Sequence, residues 1–232
     1  MASDSESDYE IELSEETRKI LQQVMAEKEA ETERFATLKR HAESDFDKAK
    51  QADMSLFTEN WQLSQFWYDD ETSRALGQEA LDNTDDSSVI VCISSPSAFV
   101  KLMSMEPPKN AKIYVFEFDT RFDIYGEQFV HYDFNHPDSF RLLNELKGKV
   151  DYIIADPPFL SDECLTKTLE TVDLLRKPET GKVLFCTGAK MTDLLLSRQY
   201  TLTSFDPKHK GGLSNDFRSY SNYASIKFPA RQ

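Results

Sequence analysis

The chain has 232 residues, 39% of them hydrophobic and 29% charged, with a formal net charge of −14. That length suits one main domain with a full core. The acidity argues against a partner held through its phosphates, which normally draws on clustered Lys and Arg, and is compatible with a basic protein partner.

Residues 1–13 are acidic and serine-rich with little to bury, and read as a disordered tail. A helix is predicted from Ser14 to about Lys50, opened by Ser14-Glu15-Glu16, within an arm that extends to residue 55. Ile20, Leu21 and Val24, then Phe35 and Leu38, form its apolar stripe. The arm reads as a solvated helix with a modest packing face or as a substrate-docking element. Residues 1–53 carry 15 acidic residues against 8 basic ones, so half the net negative charge lies outside the main domain, residues 56–232. The N-terminus does not resemble a leader peptide, and no apolar run approaches the ~20 residues of a membrane span. Cytoplasm is the default expectation.

Asn60 to Asp70 holds both tryptophans, among amides and further aromatics. It is either a segment folded over a pocket or a hydrophobic staple tying the arm to the domain. A helix follows over Asp70 to Leu81. From Ser87, strands alternate with helices, the pattern of an α/β fold with a parallel sheet. Strands are predicted at Val89–Ile93, Ile113–Phe118, Gln128–Tyr132, Tyr152–Ala155 and Lys182–Thr187. Helices are predicted at Ala98–Met105, Asp138–Leu146, Ser161–Arg176 and Met191–Arg198. Tyr200–Phe205 and Phe217–Ile226 close the chain as a hairpin, with the last strand antiparallel. Cys92, Cys164 and Cys186 lack any C-x-x-C spacing, so neither a disulfide framework nor a metal site is expected.

The fourth strand carries the chemistry. Tyr152-Ile153-Ile154-Ala155 is an apolar run, and Pro157 and Pro158 cannot extend a central strand. Asp156 is therefore held extended at a strand's C-terminal end, where open α/β sheets bind ligands. Its carboxylate and the Pro157 carbonyl offer two acceptors to an amine, Pro158 stiffens the turn, and Phe159 walls the site. Asp156-Pro157-Pro158-Phe159 resembles the [DN]-P-P-[YFW] motif of amino-methyltransferases that use S-adenosylmethionine. The element order likewise resembles a class I, seven-stranded methyltransferase with a Rossmann-like sheet.

That resemblance sorts the remaining acids. Glu117 or Asp119, ending the second strand, would accept both ribose hydroxyls, and their two-residue spacing puts them on one strand face. Asp133, ending the third strand, would accept from the adenine amino group, with Phe134 stacked on the ring. The loop after the first strand, Ser94-Ser95-Pro96-Ser97, lacks the usual glycines; its small serines would permit close approach. Phe66 and Tyr68 are expected on the cofactor side, and Trp61, Trp67, Lys208 and His209 on the substrate side.

The run Asn60–Tyr68, the serine loop, Phe116-Glu117-Phe118-Asp119, the Asp-Pro-Pro-Phe tetrad and Cys186-Thr187-Gly188-Ala189 occur together. The combination is similar to the eukaryotic lysine methyltransferases of translation elongation factor 1-alpha, over about Leu56 to Tyr223. It implies that elongation factor as protein substrate and S-adenosylmethionine as donor. A lysine is mostly ammonium at neutral pH; desolvation and the cofactor's positive charge are expected to lower its pKa, with Asp156 mainly orienting the amine. The alternatives are an adenine-N6 methyltransferase on RNA or DNA, which the thin basic footprint of Lys208-His209-Lys210 disfavours, and a non-catalytic scaffold of the same fold. Oligomeric state is left open.

Overall fold

The computed structural model describes residues 14–26, 30, 33, 54–60, 65–212 and 216–232. The acidic tail, most of the arm and Trp61 lie outside them. The chain divides into two units, Met1–His41 and Ala42–Gln232. In the first, residues 15–26 are helical, and the Thr17 amide donates to the Ser14 hydroxyl at 3.2 Å, as a helix N-cap requires. Ile20, Leu21 and Val24 are exposed on this helix.

The second unit is an α/β fold. Its strands are β1 (Val89–Ile93), β2 (Lys112–Glu117), β3 (Phe129–His131), β4 (Tyr152–Ala155), β5 (Lys182–Gly188), β6 (Thr201–Leu202) and β7 (Phe217–Ser221). Its helices are α1 (Asp70–Asp82), α2 (Pro96–Ser104), α3 (Leu143–Leu146), α4 (Asp162–Leu175) and α5 (Thr192–Ser197). Among the described residues the sheet is seven-stranded, in the order β3-β2-β1-β4-β5-β7-β6. The first five strands are parallel, and β7 runs antiparallel between β5 and β6. β1 and β4 are the innermost pair, which is why both are nearly continuous apolar runs. The chain leaves β1 toward β2 and returns to β4 on the other side, so the crevice of this fold opens between them.

One face of the sheet buries Val91, Ile153, Ala155, Val183 and Phe185 against Leu165, Leu169 and Val172 of α4. Ser161 caps α4 through its hydroxyl, accepting from Cys164 N. α1 is capped by Asp69, which accepts from Thr72 N at 2.7 Å, and Asp70 and Glu71 complement its dipole. Gly77 of α1 admits α2 closely: a Cβ there would lie 3.0 Å from Met105 Sδ.

Three predicted boundaries move. The helix expected over Asp138–Leu146 shrinks to α3, because Leu142 is left-handed (φ 72°) and helical geometry does not pass through it. The last strand stops at Ser221, where the Asn222 side chain takes over its pairing with β5. Asn222 Oδ1 accepts from Val183 N at 2.7 Å and Nδ2 donates to the Gly181 carbonyl at 2.9 Å. Only Thr201–Leu202 of the penultimate run pairs as a strand; beyond it the chain swings back to Tyr68, which bridges His209.

Glu79 ties α1 to the sheet. It is 1% exposed and accepts from Tyr223 Oη at 2.8 Å and Asn83 Nδ2 at 3.0 Å, while Tyr223 pairs with Tyr152 of β4 at 2.7 Å. Glu79→Ala leaves these donors short of an acceptor and is expected to cost about 1–3 kcal/mol. Urea unfolding should show a lower midpoint at unchanged slope; an unchanged midpoint would mean the pair contributes nothing.

Candidate active site

A cavity of about 490 Å³ opens at the C-terminal ends of β1 to β4. Each strand end delivers residues to it: Ser94–Ser97 after β1, Glu117 and Phe118 at the end of β2, Tyr132–Asn135 after β3, and Asp156–Leu160 after β4. Gln65–Tyr68, His209 and Phe217 complete the lining. The sequence singled out most of these. It assigned no role to Gln65 or Leu160, which adjoin residues it did single out, nor to Phe217, which reaches the cavity through the return of the last strand.

Asp156 extends the parallel ladder by one step, its N–H donating to the Ile93 carbonyl at 3.0 Å. Pro157 and Pro158 have no N–H to continue it, so the backbone turns there. One carboxylate oxygen, Oδ2, accepts from Tyr68 Oη at 2.5 Å. The other, Oδ1, takes no hydrogen bond within the described residues. Burial pushes the Asp156 carboxyl up to about 8; the Tyr68 hydrogen bond opposes the rise and the charge of Glu117 adds to it. No sequence signal links Tyr68 to Asp156 across 88 positions.

Glu117 and Asp119 separate. Glu117 faces the cavity, buried, its Oε1 accepting from Phe118 N at 3.1 Å and Asp119 N at 3.2 Å; burial pushes it up to about 7. Asp119 does not line the cavity. It takes hydrogen bonds from Arg121 Nε and Gln65 Nε2, both 2.8 Å to Oδ2, and caps the turn through Arg121 N. The expectation that the two share a strand face fails because β2 ends at Glu117, and the alternation of side chains ends with it. Asp133 lines the cavity and is braced by Asn135, whose N–H donates to Oδ1 at 2.9 Å. Phe134 meets Phe159 edge-on at 5.7 Å.

The glycine-free loop adopts a glycine-like shape. Ser94 has φ 50°, and its N–H donates to the Phe116 carbonyl at 2.8 Å. Ser95 Oγ donates to the Ile154 carbonyl at 3.3 Å, joining the loop to β4. Pro96 is not loop but the first residue of α2, where its missing N–H costs nothing.

On the expected substrate side, Trp67 is buried (5% exposed), its indole N–H donating to the Phe57 carbonyl at 2.8 Å and its ring packed edge-on against Phe122. Its indole is thus committed to the staple beneath the segment. Lys208 contributes backbone, its carbonyl accepting from Asp69 N and its N–H donating to Thr72 Oγ1, while its side chain stays outside the lining. His209 lines the cavity between Tyr68 (4.9 Å) and Phe217 (4.5 Å). Burial holds its imidazole down at about 4, so it is neutral at physiological pH.

Asp156 and Glu117 hold their protons more tightly folded than unfolded, where carboxyls titrate near pH 4. Below that pH both states are protonated and neither acid costs stability. Between about pH 4 and 8 the unfolded chain is ionised first, so stability falls as pH rises and levels off above about 8. The double variant Asp156→Asn, Glu117→Gln should therefore be more stable than the wild type by about 1–2 kcal/mol at pH 8, with the gain fading toward pH 4. Urea unfolding across that range checks it; parallel pH dependences for the two proteins would contradict it.

The family model described as "Probable N6-adenine methyltransferase" matches residues 59–225. The chain is 41% identical over 174 residues to EEF1A lysine methyltransferase 1 of Mus musculus, covering 74% of this chain and 78% of that protein. It is 39% identical over 230 residues to protein-lysine N-methyltransferase EFM5 of Saccharomyces cerevisiae, covering 90% and 91%. With protein-lysine N-methyltransferase M142.8 of Caenorhabditis elegans it shares 47% over 180 residues, covering 73% and 81%. On the span of the family match, and on relatives this similar over most of their length, the chain belongs to the N6-adenineMlase family of methyltransferases.

Proposed function

We propose that this protein transfers a methyl group from S-adenosylmethionine to the side-chain amine of a lysine, and that the lysine belongs to translation elongation factor 1-alpha. The observation that carries this reading is the placement of Asp156-Pro157-Pro158-Phe159 on the cavity wall at the end of β4. The names of the relatives supply the substrate. A cytoplasmic location is part of the same proposal and rests on the composition of the chain.

The lining fits the cofactor. Glu117 and Asp133 line the cavity with Phe134 and the serine loop; Glu117 would accept from ribose hydroxyls and Asp133 from an adenine amino group, with the serines allowing close backbone approach. Phe66 would add an apolar wall on the same side. When bound, S-adenosylmethionine supplies an electrophilic methyl group on a sulfonium. The rest falls to the chain's own residues. Asp156 Oδ1 and the Pro157 carbonyl would accept the amine's hydrogens and leave its lone pair pointing away from both. Leu160, Phe217 and the neutral His209 give the amine an apolar surround that disfavours its charged form. The same burial raises Asp156 to about 8, bringing its proton affinity toward that of a desolvated lysine. Asp156 is thus suited both to orient the amine and to take its proton, a larger role than orientation alone.

The family description favours adenine as a second reading. A nucleic-acid substrate needs cations for its phosphates. Among the described residues the cavity lining contains Glu117, Asp133 and Asp156 and neither Lys nor Arg.

Incubation of the protein with labelled cofactor and either purified elongation factor or cellular RNA and DNA separates the two. Label is expected on a lysine of the factor; label confined to nucleic acid would overturn the reading. By calorimetry, Glu117→Gln should weaken cofactor binding by about tenfold. Asp119→Asn should mainly lower the melting temperature; the reverse pattern would exchange the two roles.

A further inference from the structure

Tyr68 sits where three parts of the site meet. It is 1% exposed, and its hydroxyl donates to Asp156 Oδ2. Its backbone N–H donates to the Ser97 hydroxyl at 3.3 Å, in the first turn of α2 beside the serine loop. On either side of it, the Trp67 carbonyl accepts from Lys210 N and the Asp69 N–H donates to the Lys208 carbonyl, both at 2.9 Å. Its ring lies against His209. A residue whose backbone is held by α2 and flanked by the Lys208–Lys210 loop, and whose ring packs on His209, has little freedom to leave its partner. Asp156 in turn has one oxygen engaged and one without a hydrogen bond among the described residues, and it lines the cavity.

We propose that Tyr68 is the positioning residue of the reaction: by engaging Oδ2 it fixes the plane of the Asp156 carboxylate and presents Oδ1, together with the Pro157 carbonyl, to the incoming amine. This rests on the methyltransferase reading above and adds to it the residue that aims its catalytic acid. In this role Tyr68 acts on the amine through Asp156. A hydroxyl donating to a carboxylate also favours the ionised form, so Tyr68 lowers the pH at which Asp156 becomes able to accept a proton. The other titratable groups around this pair are Glu117 from β2, Asp133 after β3, Cys186 from β5 and His209 from the returning loop. Cys186 also interacts with the Tyr68 hydroxyl, but burial holds its thiol well above the usual range, so it stays uncharged while Asp156 titrates.

The test uses the full chain. Tyr68→Phe keeps the ring and removes the donor. In the cofactor-free protein, the Asp156 carboxyl carbon, followed by NMR after ¹³C-aspartate labelling and assigned with Asp156→Asn, should titrate about one pH unit higher than in the wild type. With elongation factor as substrate, kcat at neutral pH should fall roughly 10- to 100-fold. The acid limb of the pH profile should move up by the same unit, with KM for the cofactor within about twofold of the wild type. Replacing Tyr68 by 3,5-difluorotyrosine, a stronger donor, should move the titration the other way. An unchanged carboxyl titration, or a loss of kcat uniform across pH, would overturn the inference. A wild-type protein that modifies no lysine would instead overturn the reading beneath it, and the carboxyl titration would still decide whether Tyr68 governs Asp156.

Discussion

A carboxylate buried at the end of a central parallel strand is the constraint around which this site is built. Such a group is costly to ionise away from water. It is tolerated here because β4 lies beside β1, whose last carbonyl holds the Asp156 amide, and because a buried phenol satisfies one of its oxygens. The two prolines that follow end the ladder without leaving orphaned donors. The result is a rigid corner whose remaining acceptors open onto a cavity. Much of the surrounding architecture holds that corner: the Ser95 hydroxyl on the Ile154 carbonyl, the Ser97 hydroxyl on Tyr68, and Leu160 against Gly188. A Cβ on Gly188 would lie 2.8 Å from a Leu160 methyl.

The electrostatics of the cavity follow from the same geometry. Three strand ends each contribute an acid, Glu117, Asp133 and Asp156, with no lysine or arginine among the described lining residues to neutralise them. Burial answers by raising two of them toward neutral pH. A site of this kind favours ligands that bring hydroxyl and amino donors or positive charge, and repels phosphates. S-adenosylmethionine and a lysine both meet that description. The chain's net charge of −14 extends the same preference to a basic protein surface.

The Asp156 corner was legible in the sequence because it is local: an apolar run, an acid, two prolines and an aromatic state their own geometry within eight residues. The parallel strands were legible for the same reason, as each is an apolar run bounded by turn residues. Features that depend on long-range return were not. The chain's two-residue period places Glu117 and Asp119 on one face, but the strand ends between them and Arg121 and Gln65 draw Asp119 away. Trp67 and Tyr68 share one aromatic cluster in sequence, yet one packs on Phe122 and the other reaches Asp156. The glycine-free loop departs from the usual pattern in sequence more than in shape, since Ser94 takes the left-handed conformation that a glycine would adopt more easily.

The most direct measurement is a crystal structure of the protein with S-adenosylhomocysteine and a peptide carrying the target lysine of the elongation factor. The lysine Nζ is expected within about 2.6–3.2 Å of both the Asp156 carboxylate and the Pro157 carbonyl, with Tyr68 still on Oδ2. A lysine seated elsewhere in the cavity, with neither oxygen in reach, would contradict it.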